Sequence, residues 1–186
     1  PAMRHVATAL VHRVPIVVGA TGLDQAAIQA LGQQFAAAGL GLMLVPNFSI
    51  GAVLAARMAH GIASYFPDVE IVEVHHDGKR DSPSGTAIRT AQLVATSRRE
   101  AGLSPTSAAQ AGADPARGES IDGVRVHALR LPGATAHQEV VFGAPGELLT
   151  IRHDAMDRSC YAAGVAAAAS FVLTLHGLET GLEHVL

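Results

Sequence analysis

Val69-Glu70-Ile71-Val72-Glu73-Val74-His75-His76-Asp77-Gly78-Lys79-Arg80-Asp81-Ser82-Pro83-Ser84-Gly85-Thr86-Ala87-Ile88 decides how this chain folds. Residues 69–75 have the β-branched content of a strand, and Asp77-Gly78 breaks it. Apolar Ala87, Ile88, Ala91, Val94 and Ala95 then recur on one helical face, so a helix runs from Ser84 to about Arg99. Asp81 or Ser82 can cap that helix, and Pro83 suits its first position. A strand, a polar turn and a helix in that order form the repeating unit of an α/β protein.

The same alternation extends upstream. Residues 3–12 are helix-like, residues 16–18 form a short apolar strand, and Gly19-Ala20-Thr21-Gly22 is a turn. Asp24 caps a helix running to about Ala38, residues 40–45 form a second strand, and Pro46-Asn47-Phe48-Ser49 turns into a helix ending near Tyr65. Residues 69–75 continue the series, which implies a parallel sheet. Downstream the character changes. Residues 103–123 form a long loop rich in Ser, Pro, Gly, Ala and Asp. Three strand-like runs follow, at 124–131, 137–142 and 148–153, with 143–147 as a hairpin link. Such a run of strands implies a mixed or antiparallel sheet in a second lobe. A helix over residues 159–176 closes the pattern. Its stretch 159–175 carries no formal charge but falls short of about 20 strongly apolar residues, so it reads as buried rather than membrane-spanning.

Composition bounds the function. The chain has 186 residues, 49% of them hydrophobic and 16% charged, which fits one globular domain or two small lobes. A net charge of -3 gives no reason to expect nucleic acid or an acidic membrane as partner. The one cysteine, Cys160, rules out an internal disulfide and fits a reducing cytoplasm. Its place at the start of an apolar helix reads as buried and structural.

The chemistry concentrates in residues 75–86. Lys79 is the only lysine, and it stands beside His75 and His76 at the end of a strand. Arginine stays protonated in any protein environment, whereas lysine can release a proton. The N–H groups of Ser84, Gly85 and Thr86 open the following helix, and helix starts of this kind hold carboxylate or phosphate. The residues therefore describe an anionic small molecule beside groups that move protons. His75, His76, Asp77 and Asp81 are metal-ligand types, but Lys79 at their centre would repel a cation, so no metal is expected. His137 and Glu139 share a strand face and His153 ends another; these could line the site, and a packed histidine is the simpler reading of either. Gly19 to Gly22 and Pro46 to Ser49 are weak signals by themselves, since most such turns need only glycine or a cap.

Glu73 through Ala87 resembles the E-x-H-H-x-x-K-x-D-x-P-S-G-T-A signature of bacterial dihydrodipicolinate reductase, also called 4-hydroxy-tetrahydrodipicolinate reductase. Val18-Gly19-Ala20-Thr21-Gly22 is similar to that family's G-T-T-G turn, with Ala20 in place of a threonine. Pro46-Asn47-Phe48-Ser49-Ile50-Gly51 is similar to its second cofactor turn, and the order of motifs from Arg117 to Arg158 follows it. The resemblance implies NADPH- or NADH-dependent reduction of a small cyclic dicarboxylate in the diaminopimelate route to lysine. It implies that His75 donates or accepts a proton and that Lys79 donates one, with His76, Ser84, Gly85 and Thr86 around the substrate. Gly19, Ala20, Thr21, Val45, Pro46, Asn47 and Phe48 would touch the cofactor. The implied architecture is α/β. Residues 1–47 and 158–186 form a partial Rossmann-like dinucleotide domain, and residues 48–157 an α+β substrate and oligomerisation domain with a mixed open sheet. A cytoplasmic homotetramer is the implied assembly.

One departure is large. The family begins with a strand and a G-x-x-G-x-x-G turn that residues 1–186 do not contain, so measured against the family the chain is expected to begin after the first elements of the dinucleotide domain. That leaves a second expectation open, a dicarboxylate-binding or oligomerisation module without hydride transfer. Metal-dependent hydrolysis is a third and requires a bound metal.

Overall fold

The computed structural model of the chain describes residues 2–20, 22–104, 106 and 114–186. Thr21, expected to touch the cofactor, and residues 105 and 107–113 of the long loop lie outside the described residues. Two compact units are formed, one from Pro1–Val53 with Ser159–Leu186 and the other from Leu54–Arg158.

In the first unit α1 (Ala2–Val11), β1 (Ile16–Val18), α2 (Gln25–Ala37) and β2 (Gly41–Leu44) alternate as expected. The Asp24 carboxylate caps α2, accepting from Ala27 N at 3.0 Å. β1 and β2 are parallel, and β8 (Gly177–Thr180) adds to the far side of β2. Every residue of β2 is buried, as a central parallel strand covered on both faces requires. Leu42 and Leu44 pack with Val6, Ile28 and Phe35 on one face. Met43 packs with Val53, Ala168 and Val172 on the other. Helices on both faces of a parallel sheet make the unit Rossmann-like.

β8 corrects the reading of residues 159–176 as one helix. A 3-10 turn covers Arg158–Tyr161, α5 covers Ala162–Phe171, and the chain then unwinds into the strand. Only main-chain groups are needed for that pairing, from Gly177 N to Leu40 O and from Gly181 N to Leu44 O, each 2.8 Å. The sequence of so short an edge strand carries little trace of it. Cys160 lies in the 3-10 turn and is only half-buried, rather than buried in a helix.

The second unit holds the C-terminal part of α3 (Ile50–Ile62), then β3 (Asp68–His75), α4 (Gly85–Glu100), β4 (Glu119–Ile121), β5 (Val124–Arg130), β6 (Ala136–Ala144) and β7 (Glu147–Ala155). Their strand order is β4-β5-β3-β6-β7. β3 does not continue the sheet of β1 and β2. It is the centre of this second sheet, parallel to β5 and antiparallel to β6. Local alternation of strands and helices cannot tell which sheet a strand joins, and here the chain changes unit within α3. The result is the expected α/β class with a mixed open sheet. One face is covered by α4 and α3, where Val69, Ile71, Val126, Val140 and Phe142 meet Ala59, Ala63, Ala87, Ala91 and Val94.

Two turns differ from the sequence reading. The β6–β7 link is Pro145-Gly146, with Gly146 at φ 86, rather than residues 143–147. β4 arises inside the long loop and pairs with β5 across Asp122-Gly123, both at positive φ, 50 and 86.

Candidate active site

Side chains on β3 alternate between the two faces of its sheet, so Glu73 and His75 share the face that α4 covers. Glu73 is completely buried, at 0% exposure. Its Oε1 accepts from Ser84 N at 3.0 Å and Arg130 Nη2 at 2.9 Å. Its Oε2 accepts from Arg130 Nη1 at 2.9 Å and pairs with His75 Nδ1 at 2.5 Å. Burial alone would raise this carboxyl's pKa. The bonds from His75, Arg130 and Ser84 outweigh burial and hold it below the ordinary 4.5, so it is ionised at neutral pH.

Arg130 also fixes the turn that carries Lys79. Its Nε and Nη2 donate to the carbonyls of Lys79 at 3.3 Å and Asp81 at 2.7 Å. Lys79 N closes the turn on His76 O at 3.1 Å. The Lys79 ammonium donates to both carboxylate oxygens of Asp81, at 2.8 and 2.7 Å, and this holds the Asp81 carboxyl below its ordinary value. Lys79 is partly buried and ion-paired rather than isolated.

The cap of α4 is Ser84, not Asp81 or Ser82, and Pro83 lies outside the helix after a cis Ser82-Pro83 peptide. Ser84 Oγ accepts from Ala87 N at 3.2 Å while its own N–H is donated to Glu73. The strand therefore dictates where the helix starts. Ser84 N–H is consequently not open to a ligand, and Gly85 and Thr86 form the accessible part of the helix start. Gly85 is exposed, and nothing stands within 4 Å of where a Cβ would be. His76 is exposed beside Gly78. His75, His76, Lys79, Gly85 and Thr86 are all held by this one turn.

His137 and Glu139 do share a face, but it is the opposite one. His137 pairs in register with Val74 and binds Asp154 at 2.7 Å, and Glu139 binds Arg152. His153 lies on the face of Glu73, in register with Gln138, and burial lowers its pKa. Gln138 is nearly buried, its amide donating to Thr90 Oγ1 at 3.0 Å, while its Oε1 meets no donor among the described residues.

In the first unit the two glycine- and asparagine-bearing turns leave neighbouring parallel strands at their carboxyl ends. Val45 N donates to Val18 O at 2.8 Å, and Asn47 Oδ1 accepts from Ser49 N at 2.8 Å. A Cβ on Gly19 would stand 2.7 Å from a ring carbon of Phe48, so glycine is what lets these turns pack together. The carboxyl edge of parallel strands is where open α/β sheets bind ligands, and Gly19 with Val45 to Phe48 lies at that edge.

The profile of a family described as dihydrodipicolinate reductase, C-terminus, matches residues 51–186. Curated 4-hydroxy-tetrahydrodipicolinate reductases match over nearly the whole chain. That of Streptomyces coelicolor is 49% identical over 94% of this chain and 71% of its own length. That of Geobacillus thermodenitrificans is 46% identical over 98% of this chain and 69% of its own length. The chain belongs to the dihydrodipicolinate reductase family. A solved dipicolinate-bound dihydrodipicolinate reductase from Paenisporosarcina sp. TG-14 is 40% identical, with a TM-score of 0.83 over 99% of this chain and 69% of that one. The chain's function is that of the family, an oxidoreductase step in the diaminopimelate route to lysine, and the non-catalytic reading gives way to it. The reductase family uses NAD(P)H. Among the described residues no helix is long and apolar enough to cross a membrane.

For this member of the reductase family the roles of Glu73, Arg130 and Gln138 were not read from sequence. An acidic residue in an apolar strand two places before His75 was the one available signal for Glu73. Arg130 and Gln138 come close to it only through β5 and β6.

The same network sets an acid limit. Glu73 has a folded pKa below 4.5, so it stabilises the fold above that pH and ceases to as pH falls through its folded value. His153, depressed below 6.5, resists protonation in the folded chain, so its contribution also declines as pH falls from 6.5. Urea unfolding across a pH series should show stability falling first below 6.5 and more steeply below 4.5. A flat profile would contradict these assignments.

Proposed function

We propose that the turn from His75 to Thr86 binds a cyclic dicarboxylate and exchanges protons with it. The observation that carries the reading is the joining of His75 and the Lys79 turn, through Glu73 and Arg130, to the accessible helix start at Gly85. The carboxylates are held by His76 and by the N-terminus of α4 at Gly85 and Thr86, with Ser84 shaping that end as its cap. His75 takes or gives a proton, and Lys79 donates one. The dipicolinate in the Paenisporosarcina structure supports a flat dicarboxylate as ligand.

Residues 48–157 act as the substrate and oligomerisation domain, and residues 1–47 with 158–186 as the dinucleotide domain. Gly19, Ala20, Val45, Pro46, Asn47 and Phe48 hold NADPH or NADH, together with Thr21, which lies outside the described residues. When bound, that cofactor supplies hydride. A cytoplasmic homotetramer completes the proposal. The sheet face away from α4 supports assembly, since it carries apolar Val72 and Val74 and the exposed Leu129 and Leu148, with the ion pairs Glu70–Arg117 and Glu139–Arg152 on the same face.

Calorimetric titration of the chain with pyridine-2,6-dicarboxylate, NADH and NADPH tests the reading. Saturable binding of the dicarboxylate and of at least one nucleotide is expected. Absence of nucleotide binding would overturn the cofactor assignment, and absence of dicarboxylate binding the substrate assignment.

A further inference from the structure

We infer that Glu73 is the positioning residue for His75, fixing the imidazole with its proton on Nδ1 and leaving Nε2 as the atom that exchanges a proton with substrate. The functional half of this inference rests on His75 having the role proposed above. The tautomer follows from the hydrogen bonds alone. Glu73 is fully buried, and both its oxygens are occupied. Oε1 takes the Ser84 N–H and Arg130 Nη2, and Oε2 takes Arg130 Nη1 and faces His75 Nδ1 at 2.5 Å. Arginine and a main-chain N–H can only donate, and an ionised carboxylate can only accept. The hydrogen between Oε2 and Nδ1 therefore belongs to the imidazole.

With Nδ1–H committed, neutral His75 keeps its lone pair on Nε2, and protonated His75 has its exchangeable N–H there. Proton release leaves the neutral Nδ1–H ring and breaks only the Nε2–H bond. Glu73 itself neither gains nor loses a proton. The surrounding groups agree with a fixed charge at this position. Arg130 on β5 neutralises it, the N–H of Ser84, the N-cap of α4, adds a donor, Gln138 on β6 is uncharged in register with Glu73, and His153 on β7 lies one strand further. Lys79 is ion-paired with Asp81, and Arg130 ties both to Glu73 through their main-chain carbonyls. One buried carboxylate thus sets the ring's protonation and, through Arg130, the place of the turn that carries the second proton donor.

Nitrogen-15 NMR of the unaltered chain, at a pH where His75 is neutral, reads the tautomer without substrate. A proton on Nδ1 and a bare Nε2 are expected for His75, and the Nε2–H tautomer would overturn the inference whatever the chain's activity. Kinetics of Glu73→Gln form the second arm. Without its fixed acceptor the ring loses its orientation, so kcat should fall by about 10²–10⁴-fold with KM within a few-fold. In a His75→Gln background the same substitution should cost clearly less than it does alone, the remainder being its effect on the Lys79 turn through Arg130. A full additional loss there would overturn the positioning role. If His75→Gln alone retains normal turnover, the proposed role of His75 fails while the tautomer result stands on its own. Should Glu73→Gln not fold, the tautomer decides the inference.

Discussion

Lys79→Arg is expected to keep the fold and the charge of this turn and to lose most of the turnover. The ammonium of Lys79 is held by both oxygens of Asp81, and a guanidinium can keep that ion pair. Lysine at this place can hand over a proton, but arginine stays protonated throughout the working pH range. The loss therefore falls on the chemical step. A removed general acid is worth about 10²–10⁴-fold in kcat. Stability should change by less than about 1 kcal/mol, since the pair is at the surface end of the turn. Steady-state kinetics and urea unfolding of the same preparation separate the two effects. Near-normal kcat in a folded Lys79→Arg chain would remove Lys79 from the proton path and leave it as a binding charge.

Arg130→Met is expected to have the largest effect on stability. Glu73 is buried at 0% exposure and receives two of its four bonds from Arg130. Removing the guanidinium leaves a carboxylate in the interior with its charge uncompensated. Breaking a buried pair from one side costs about 3–5 kcal/mol. The main-chain carbonyls of Lys79 and Asp81 lose their donor at the same time, so turnover should fall together with stability. The double substitution Glu73→Leu with Arg130→Met removes both charges and should recover much of the stability without recovering turnover. Urea midpoints of the two variants decide it. If Arg130→Met is as stable as the unaltered chain, the network around Glu73 is not what holds the turn.

The strand–turn–helix order from residue 69 to residue 99 was legible because each piece has a local cause. A β-branched run makes the strand, Asp77-Gly78 breaks it, and Ala87, Ala91 and Val94 recur on the helical face that meets the sheet. His75, Lys79 and the helix start at Gly85 were legible for the same reason, being close together in sequence. The sheet to which β3 belongs was not, because pairing with β5 and β6 joins residues far apart in the chain. Arg130, which completes the site, lies 57 residues from Glu73 and became visible only with that pairing. The N-cap moved from Asp81 or Ser82 to Ser84 because a side chain on another element, Glu73, captures the Ser84 N–H. β8 was hidden for a different reason: it is short and pairs through its main chain. β4 could have been read, since Asp122-Gly123 is the dipeptide that a two-residue hairpin turn prefers.

A crystal structure of the chain with pyridine-2,6-dicarboxylate tests the central claim most directly. The account predicts the ligand at the turn from His75 to Thr86, one carboxylate at the N-terminus of α4 by Gly85 and Thr86, and His76 within hydrogen-bond reach. A dicarboxylate bound elsewhere, such as beside Arg152 on the opposite face of the sheet, with this turn empty, would contradict it.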